Sequence, residues 1–546
     1  MFCRRDQMKF TGILNFTVNR RDIRFSFFPF EPPGASIPDV MPNAIHIRTF
    51  FFLTLFCVLG SVVRFFYGFI YTPWLQCPDH LAWQMIINEG SLSYDHLIYY
   101  PHEGGSVVVS LLAHLVQLVA RTNSLTVAAF VSDLISRAIQ LYVVWKIFSR
   151  DVAYIFGTWT IFAVPVIIPW ATVNFGLHSI SAFFPFVLIY VLWRDAGSRA
   201  HYIWTGIFLG LALWFSYSNF VLIVVYFIYQ LLERKRGAGW TYSVVSFSAI
   251  LVLHLLVRKY ADAGFDFQEK NMASIRGTAF TVDALTNWSR YYQVWTGPLA
   301  DSATMLRNSP YNLVLSKYIW LALVAAGFAG CIRAVMNAKM DKRIGVILLS
   351  VILFVTVYAT SPFFYDYPGF GNYVAYRHLT YILPATALFT IAGLTSFRGG
   401  KPLALIFTAV CIYSSCLLFT SDKKDVIADR AAGWALGAKL GNKQGDIARI
   451  ISSSPYNKKL VMQGVGWGIT ASLFEGSDSR SDIRLKEKVN ALMEILTQVQ
   501  ESYRDDFIAG IEFSFSDGVT PVLDKPVREM LKRELTVRGY RKGITE

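Results

Sequence analysis

Charge is spread so unevenly along this chain that only a membrane-embedded helical fold accommodates it. Runs such as Tyr202–Leu232, Val244–Val257 and Ile344–Tyr358 contain no Asp, Glu, Lys or Arg. A helix needs about 20 mainly apolar residues to cross a bilayer. Charged residues make up 16% of the 546 residues, against roughly 25% in soluble chains, so a soluble multidomain protein is excluded. The formal charge is +14. In a multi-pass protein that excess is expected in short basic cytoplasmic loops, and no arginine-rich stretch with interleaved aromatics marks a nucleic-acid surface.

The apolar runs define eleven candidate spans, at 47–70, 125–147, 152–170, 177–193, 202–216, 217–232, 241–258, 313–333, 343–360, 378–395 and 402–419. The segment 202–232 is either one long tilted helix or two helices broken near Ser216-Tyr217-Ser218-Asn219. Charge favours two. With Arg4, Arg5, Lys9, Arg20, Arg21 and Arg24 in the cytoplasm, the clusters Lys146/Arg150, Arg194/Arg199, Arg234–Arg236, Arg333–Arg343 and Arg398/Lys401 then all fall inside, as the positive-inside rule asks. Residues 1–46 read as a basic cytoplasmic segment without the apolar core of a cleavable signal. The fold expected is therefore all-α: a polytopic transmembrane helical bundle over 47–420, followed by a soluble helical domain over 421–546.

This arrangement places loops 71–124, 259–312 and 361–377 and the tail on the outer face. The segment Val107–Ala120, at 14 residues, is short for a span and reads as an interfacial or re-entrant helix. The tail shows helical periodicity in Asp425–Leu440, Asp446–Ile451 and Leu485–Val499. It also has three clusters of small and aromatic residues, at Gly433–Gly437, Gly464–Gly468 and Gly510–Phe515. Either a helical-hairpin repeat, where glycines permit close helix contact, or a small irregular helical domain fits them. Cys411 and Cys416, on one candidate span, read as core thiols, and no cysteine has zinc-type spacing.

Polar residues at the edge of a bilayer are costly unless wet, paired or in use. The first loop carries Asp79, His80, His102 and Glu103, with Gly104-Gly105 permitting a turn or a close backbone approach. Asp79 follows Pro78 at the start of a helix over Asp79–Glu89. It reads either as an N-cap or as a general base facing an outer cavity. His102 and Glu103 could join Asp79 around a divalent cation, although no compact ligand motif is present and histidine suits transition metals better than hard ions. Arg377 stands where the third loop meets a span, flanked by Tyr376 and His378. It is either a snorkelling anchor or a bidentate phosphate clamp. Lys270 and Arg290 in the second loop are further cations for a phosphate.

Taken together, these pieces resemble the GT-C superfamily of polytopic glycosyltransferases, in particular the group of protein mannosyltransferases and lipid A aminoarabinose transferases. The resemblance covers roughly 47–420. It rests on a first span followed by a long loop that opens with an acid and an amphipathic helix (Asp79 through Gly90), on Tyr99 through Gly105, on the juxtamembrane helix Val107–Ala120, and on the arginine-aromatic-proline segment from Arg377 to Pro384. His80 stands where members often have a second acid, and Pro101-His102-Glu103 replaces the usual tandem proline. The resemblance implies a bacterial inner-membrane enzyme with a cytoplasmic N-terminus and a periplasmic C-terminal domain. Its donor would be a polyprenyl-phosphate-linked sugar, and its acceptor a lipid, glycan or protein. Asp79 would be the catalytic base. Arg377, Arg290 and Lys270 would hold the donor phosphate. His80, His102, Glu103, Tyr376 and His378 would contact substrate. A divalent cation, if used, would take Asp79, His102 and Glu103. The tail 421–546 could bind an envelope protein partner. Two other classes remain open: a transporter or flippase of a lipid or saccharide, and a non-catalytic subunit of an envelope polysaccharide assembly system.

Overall fold

A computed structural model of the protein describes residues 42–71, 78–92, 97–99, 103–119, 124–173, 177–194, 198–232, 238–260, 287–300, 312–360, 377–420, 428–440, 444–453, 457–474, 482–515 and 525–540. Ala44–Glu546 form one compact unit, and the basic segment 1–46 lies almost wholly outside the described residues. Every regular element among the described residues is helical, so the fold is all-α.

The membrane region begins with α1 (Pro42–Phe65), which continues as a π-helical turn over Phe66–Tyr71. Then come α2 (Pro78–Glu89), α3 (Gly105–Gln117), α4 (Ser124–Ile147), α5 (Arg150–Phe162) and the single turn α6 (Ile167–Trp170). Further on are α7 (Phe184–Trp193), α8 (Arg199–Phe215), α9 (Phe220–Leu232), α10 (Ala238–Tyr260), α11 (Trp288–Ala300), α12 (Asn312–Met336), α13 (Lys342–Thr360), α14 (Leu383–Thr395) and α15 (Lys401–Cys416). Among the described residues, five helical segments are long and apolar enough to cross a membrane: Ile47–Phe69, Ser124–Ile147, Gly239–Val257, Ser316–Met336 and Lys342–Thr360. The remaining candidates are helical but shorter or interrupted. Large apolar side chains such as Ile47, Phe51, Val58 and Val62 on α1, and Val252, Leu253 and Leu256 on α10, are exposed, as lipid-facing surfaces require.

The chain breaks where the sequence supplies a reason. Residues 152–170 are not one helix: α5 ends at Phe162, and Ala163 takes φ 50°. Pro165 is the cause, because its ring clashes with the carbonyl four residues earlier and it has no N–H to give. The carbonyls of Thr160 and Ile161 accept instead from Arg64 Nη1, at 3.1 and 2.9 Å. Asp133 balances that buried guanidinium at 3.1 Å and also pairs with Arg137 at 2.7 Å. The two arginines within the spans thus share one carboxylate, and Arg64 caps a broken helix. Residues 202–232 form two helices, separated at Ser216 (φ −151°, ψ 135°) by a 3-10 turn over Tyr217–Asn219. Asn219 Nδ2 donates to the carbonyl of Ala212 at 2.8 Å, which also accepts from Ser216 N at 3.1 Å.

Helix α14 is buried along nearly its whole length, as expected of a helix apolar on all sides. It lies against α12, where a side chain on Gly393 would meet the Gly327 carbonyl. On α8, Gly206 and Gly210 let α10 come equally close, the small-residue packing common in membranes. Cys411 is a core thiol, but Cys416, at the end of α15, is exposed. Five residues is not a whole number of helical turns, so the two thiols point to different faces.

The tail contains α16 (Ala428–Leu440), α17 (Gln444–Ser453), α18 (Lys458–Phe474), α19 (Asp482–Gln498), α20 (Glu501–Phe513) and α21 (Lys525–Val537). Its three glycine clusters meet each other. A Cβ on Gly433 or Gly437 would strike α18 carbonyls, one on Gly464 or Gly468 those of α16, and one on Gly466 or Gly510 the facing backbone between α18 and α20. Trp434, Trp467 and Phe513 run beside this crossing, with ring centroids 5.8 and 5.2 Å apart. Helices α16 and α17 pack on α2, which brings the tail to the first loop.

Candidate functional site

The polar cluster is built on chain breaks. The first is the Ser216–Asn219 interruption, on which the segment Glu103–Gly105 docks. Gly104 N donates to the Trp214 carbonyl at 2.7 Å. A side chain on Gly104 would collide with the Trp214 ring, and one on Gly105 with Leu177 and Phe215. The glycine pair therefore serves close approach, and Gly104 itself has ordinary αR angles. Glu103 is 1% exposed. Its Oε1 accepts from Ser216 Oγ at 2.8 Å and its Oε2 from Leu177 N at 3.0 Å. Burial pushes its carboxyl up to about 7, opposed by the bonds from Ser216 and Leu177 and by the charges of Arg377 and Lys439.

Asp79 lies in the first turn of α2, which begins at Pro78, so it sits inside the helix where the aligned N–H dipoles favour an anion. It does more than face solvent: Oδ1 accepts from the Tyr99 hydroxyl at 3.1 Å. The Tyr99 ring stacks on Trp83, with centroids 5.0 Å and planes 9° apart, and Trp83 Nε1 donates to Ser110 Oγ on α3 at 2.9 Å. His80 is interior, with Nε2 3.0 Å from Thr126 Oγ1 on α4. Burial lowers it to about 3, which leaves the ring neutral.

Lys439, from α16 of the tail, reaches into this group. It is buried, donates from Nζ to the Tyr99 carbonyl at 3.1 Å, and holds its ammonium 4.3 Å from the Tyr99 ring centroid. Burial lowers it to about 8, against the opposing pull of Asp79 and Glu103; Arg377 lowers it further.

Arg377 opens a 3-10 turn over Arg377–Tyr381. Its charge acts on Glu103, Lys439, His178 and His378. The rings of His178 and His378 are 4.1 Å apart. His178 Nδ1 pairs with Ser218 Oγ at 2.8 Å, and His378 Nδ1 with Tyr217 OH at 3.3 Å, so the same helix break serves both histidines and Glu103.

Asp79, Glu103, Arg377 and His378 thus come together among the expected site residues. Arg290 lies in the first turn of α11, its N–H bonded to Asn287 Oδ1 at 3.3 Å. It is not among the charges acting on Glu103 or Lys439. Lys270, His102 and Tyr376 lie outside the described residues. Among the described residues no group of three His, Cys, Asp or Glu is placed to hold a metal ion. Glu103 has both oxygens engaged inside the protein, Oε1 by Ser216 and Oε2 by Leu177. Sequence reasoning missed Lys439, Ser216 and Tyr217, and gave Tyr99 only as the first residue of the segment that runs to Gly105. Ser216 and Tyr217 were visible only as a break in an apolar run. His178 was visible only as a residue at the start of the candidate span 177–193.

Neither a protein-family model nor a curated protein sequence matches the chain. A solved structure, archaeal oligosaccharyltransferase AglB from Archaeoglobus fulgidus in complex with an inhibitory peptide and a dolichol-phosphate, is similar at 13% identity with a TM-score of 0.38. The match covers 82% of this chain and spans 60% of that protein. At that score the likeness assigns no function.

Proposed function

We propose that the protein is a multi-pass membrane glycosyltransferase that moves a sugar from a polyprenyl-phosphate donor to a lipid, glycan or protein acceptor on the outer face. One juxtaposition supports this reading. Asp79 and Arg377, from opposite ends of the membrane region, both act on one group, the buried ammonium of Lys439. A carboxylate and a guanidinium in one cluster match the two demands of the reaction: a base for the acceptor hydroxyl and a cation for the departing phosphate.

In this scheme Arg377 binds the donor phosphate through its planar fork, with Arg290 and Lys270 as assisting cations. Asp79 takes the proton of the acceptor hydroxyl as its oxygen attacks the anomeric carbon. The bond from that carbon to the phosphate oxygen breaks, and polyprenyl phosphate leaves with the electron pair. One displacement inverts the anomeric centre, and a single carboxylate base suits that better than a double displacement. Tyr99, bonded to Oδ1, leaves Oδ2 for the acceptor. His378 stands beside Arg377, whereas His80 and Glu103 support the site from within. The ion network of Arg64, Asp133 and Arg137 is spent within the protein, on itself, on backbone carbonyls and on Ser61 Oγ.

The test is donor affinity. Wild-type and Arg377→Ala proteins in nanodiscs are titrated with a polyprenyl phosphate. Loss of a charge-assisted contact should weaken binding about 10- to 100-fold. Equal affinity of the two proteins would overturn the clamp and, with it, the reading of this cluster as a donor site.

A further inference from the structure

The cation in the cluster that the catalytic scheme leaves unused comes from the tail. An ammonium in the last turn of a helix ordinarily stays in water, where it also complements the helix dipole. Lys439 instead is buried at 4% exposure, at the desolvation cost that any buried charge carries. What it touches is specific: the carbonyl of Tyr99 at 3.1 Å and the face of the same ring at 4.3 Å. Tyr99 in turn is 1% exposed, stacked on Trp83, and bonded through its hydroxyl to Asp79. Backbone, ring and hydroxyl of one tyrosine therefore link the tail to the acid. At the other end of α2, Arg449 of α17 pairs with Glu89 at 2.8 Å, so the tail grips the acid-bearing helix near both its ends.

We infer that Lys439 is a positioning residue for Asp79: the tail, docked in cis, clamps Tyr99 through this lysine, and the Tyr99 hydroxyl fixes the carboxylate in its reacting orientation. This rests on the glycosyltransferase reading of the same site. The C-terminal helices are then part of the catalytic apparatus, and a chain with the tail undocked keeps its donor site but lacks an oriented base. Lys439 also faces the charges of Glu103 and Arg377 from the membrane region, so its own charge is held within a balanced group.

The test compares Lys439→Met, Lys439→Arg and Arg449→Gln in the full-length protein in nanodiscs, with two readouts: transfer kinetics, and hydrogen–deuterium exchange of peptides spanning 78–99. Misplacing a reacting group by about 1 Å costs on the order of 100-fold in rate. Lys439→Met should therefore lower kcat about 10- to 100-fold while both KM values stay within about twofold. Lys439→Arg, which keeps the charge and the donor, should recover much of the rate. Arg449→Gln, which removes a pair at the other end of α2 whose arginine is exposed, should leave kcat near wild type. Exchange at the Tyr99 peptide should rise in Lys439→Met alone. A raised donor KM with unchanged kcat would make Lys439 a substrate ligand and overturn the inference. So would an Arg449→Gln defect as large as that of Lys439→Met, which would point to docking in general. If the wild-type protein transfers no sugar, the glycosyltransferase reading falls. The clamp is then decided by exchange alone, and unchanged protection of Tyr99 in Lys439→Met sinks it.

Discussion

Replacing Glu103 by glutamine should remove a pH dependence of stability that the wild-type protein carries on its acidic side. Burial raises this carboxyl from 4.5 to about 7. Where the folded value lies above the unfolded one, the native state keeps a proton that the unfolded chain has released. The associated stability is complete below the unfolded value and is lost as pH rises through the folded one. A separation of this size corresponds to about 3 kcal/mol. The amide of Glu103→Gln cannot ionise. It can still accept from either Ser216 or Leu177, but it meets the other donor poorly, a cost of about 1–2 kcal/mol at every pH. Thermal unfolding of both proteins, in one detergent at pH 5 and pH 8, reads the difference. The variant should be the less stable at pH 5, and the gap should close or reverse by pH 8. Lys439, lowered to about 8, runs in the opposite sense, losing stability as pH falls through that value, and it is present in both proteins. A gap of equal size at the two pH values would refute the reasoning, since Glu103 would then not titrate within the fold.

Asp133→Asn should destabilise the membrane region by about 3–5 kcal/mol, because two buried arginines lose their shared counter-charge; a wild-type melting temperature would contradict the network. Gly464→Val should loosen the tail by about 1–3 kcal/mol, since its side chain must displace the backbone of α16 near Arg430 and Trp434. Limited proteolysis of 421–546 reads it, and unchanged protection would mean that the helices do not cross there.

Features governed by local chemistry were legible in the sequence. The break at Ser216–Asn219 showed as polar residues inside an apolar run. Asp79 and Arg377 stood out as charged residues at helix starts beside a bilayer. The tail glycines pointed to close crossings that the three helices do make. Pro165 was present in the sequence, yet its effect on 152–170 was masked by the unbroken hydrophobicity of Phe162–Ile168, which reads equally as one span. The acceptor bonds of Glu103 come from Leu177 and Ser216, partners set by tertiary packing alone, so the sequence did not show them. Lys439 was invisible for the same reason. In sequence it is an ordinary basic residue in the last turn of a polar helix, and only the docking of α16 on α2 turns it inward.

The central claim is that Asp79 is the base of a sugar transfer, and the most direct measurement is the transfer rate of Asp79→Asn with a polyprenyl-phosphate-linked sugar as donor. Asparagine keeps the size of the side chain and an acceptor for the Tyr99 hydroxyl, so the fold and donor affinity should persist. Loss of a general base should lower kcat by about 10²- to 10⁴-fold. A variant that melts like wild type, binds donor like wild type and still transfers sugar at the wild-type rate would contradict the account.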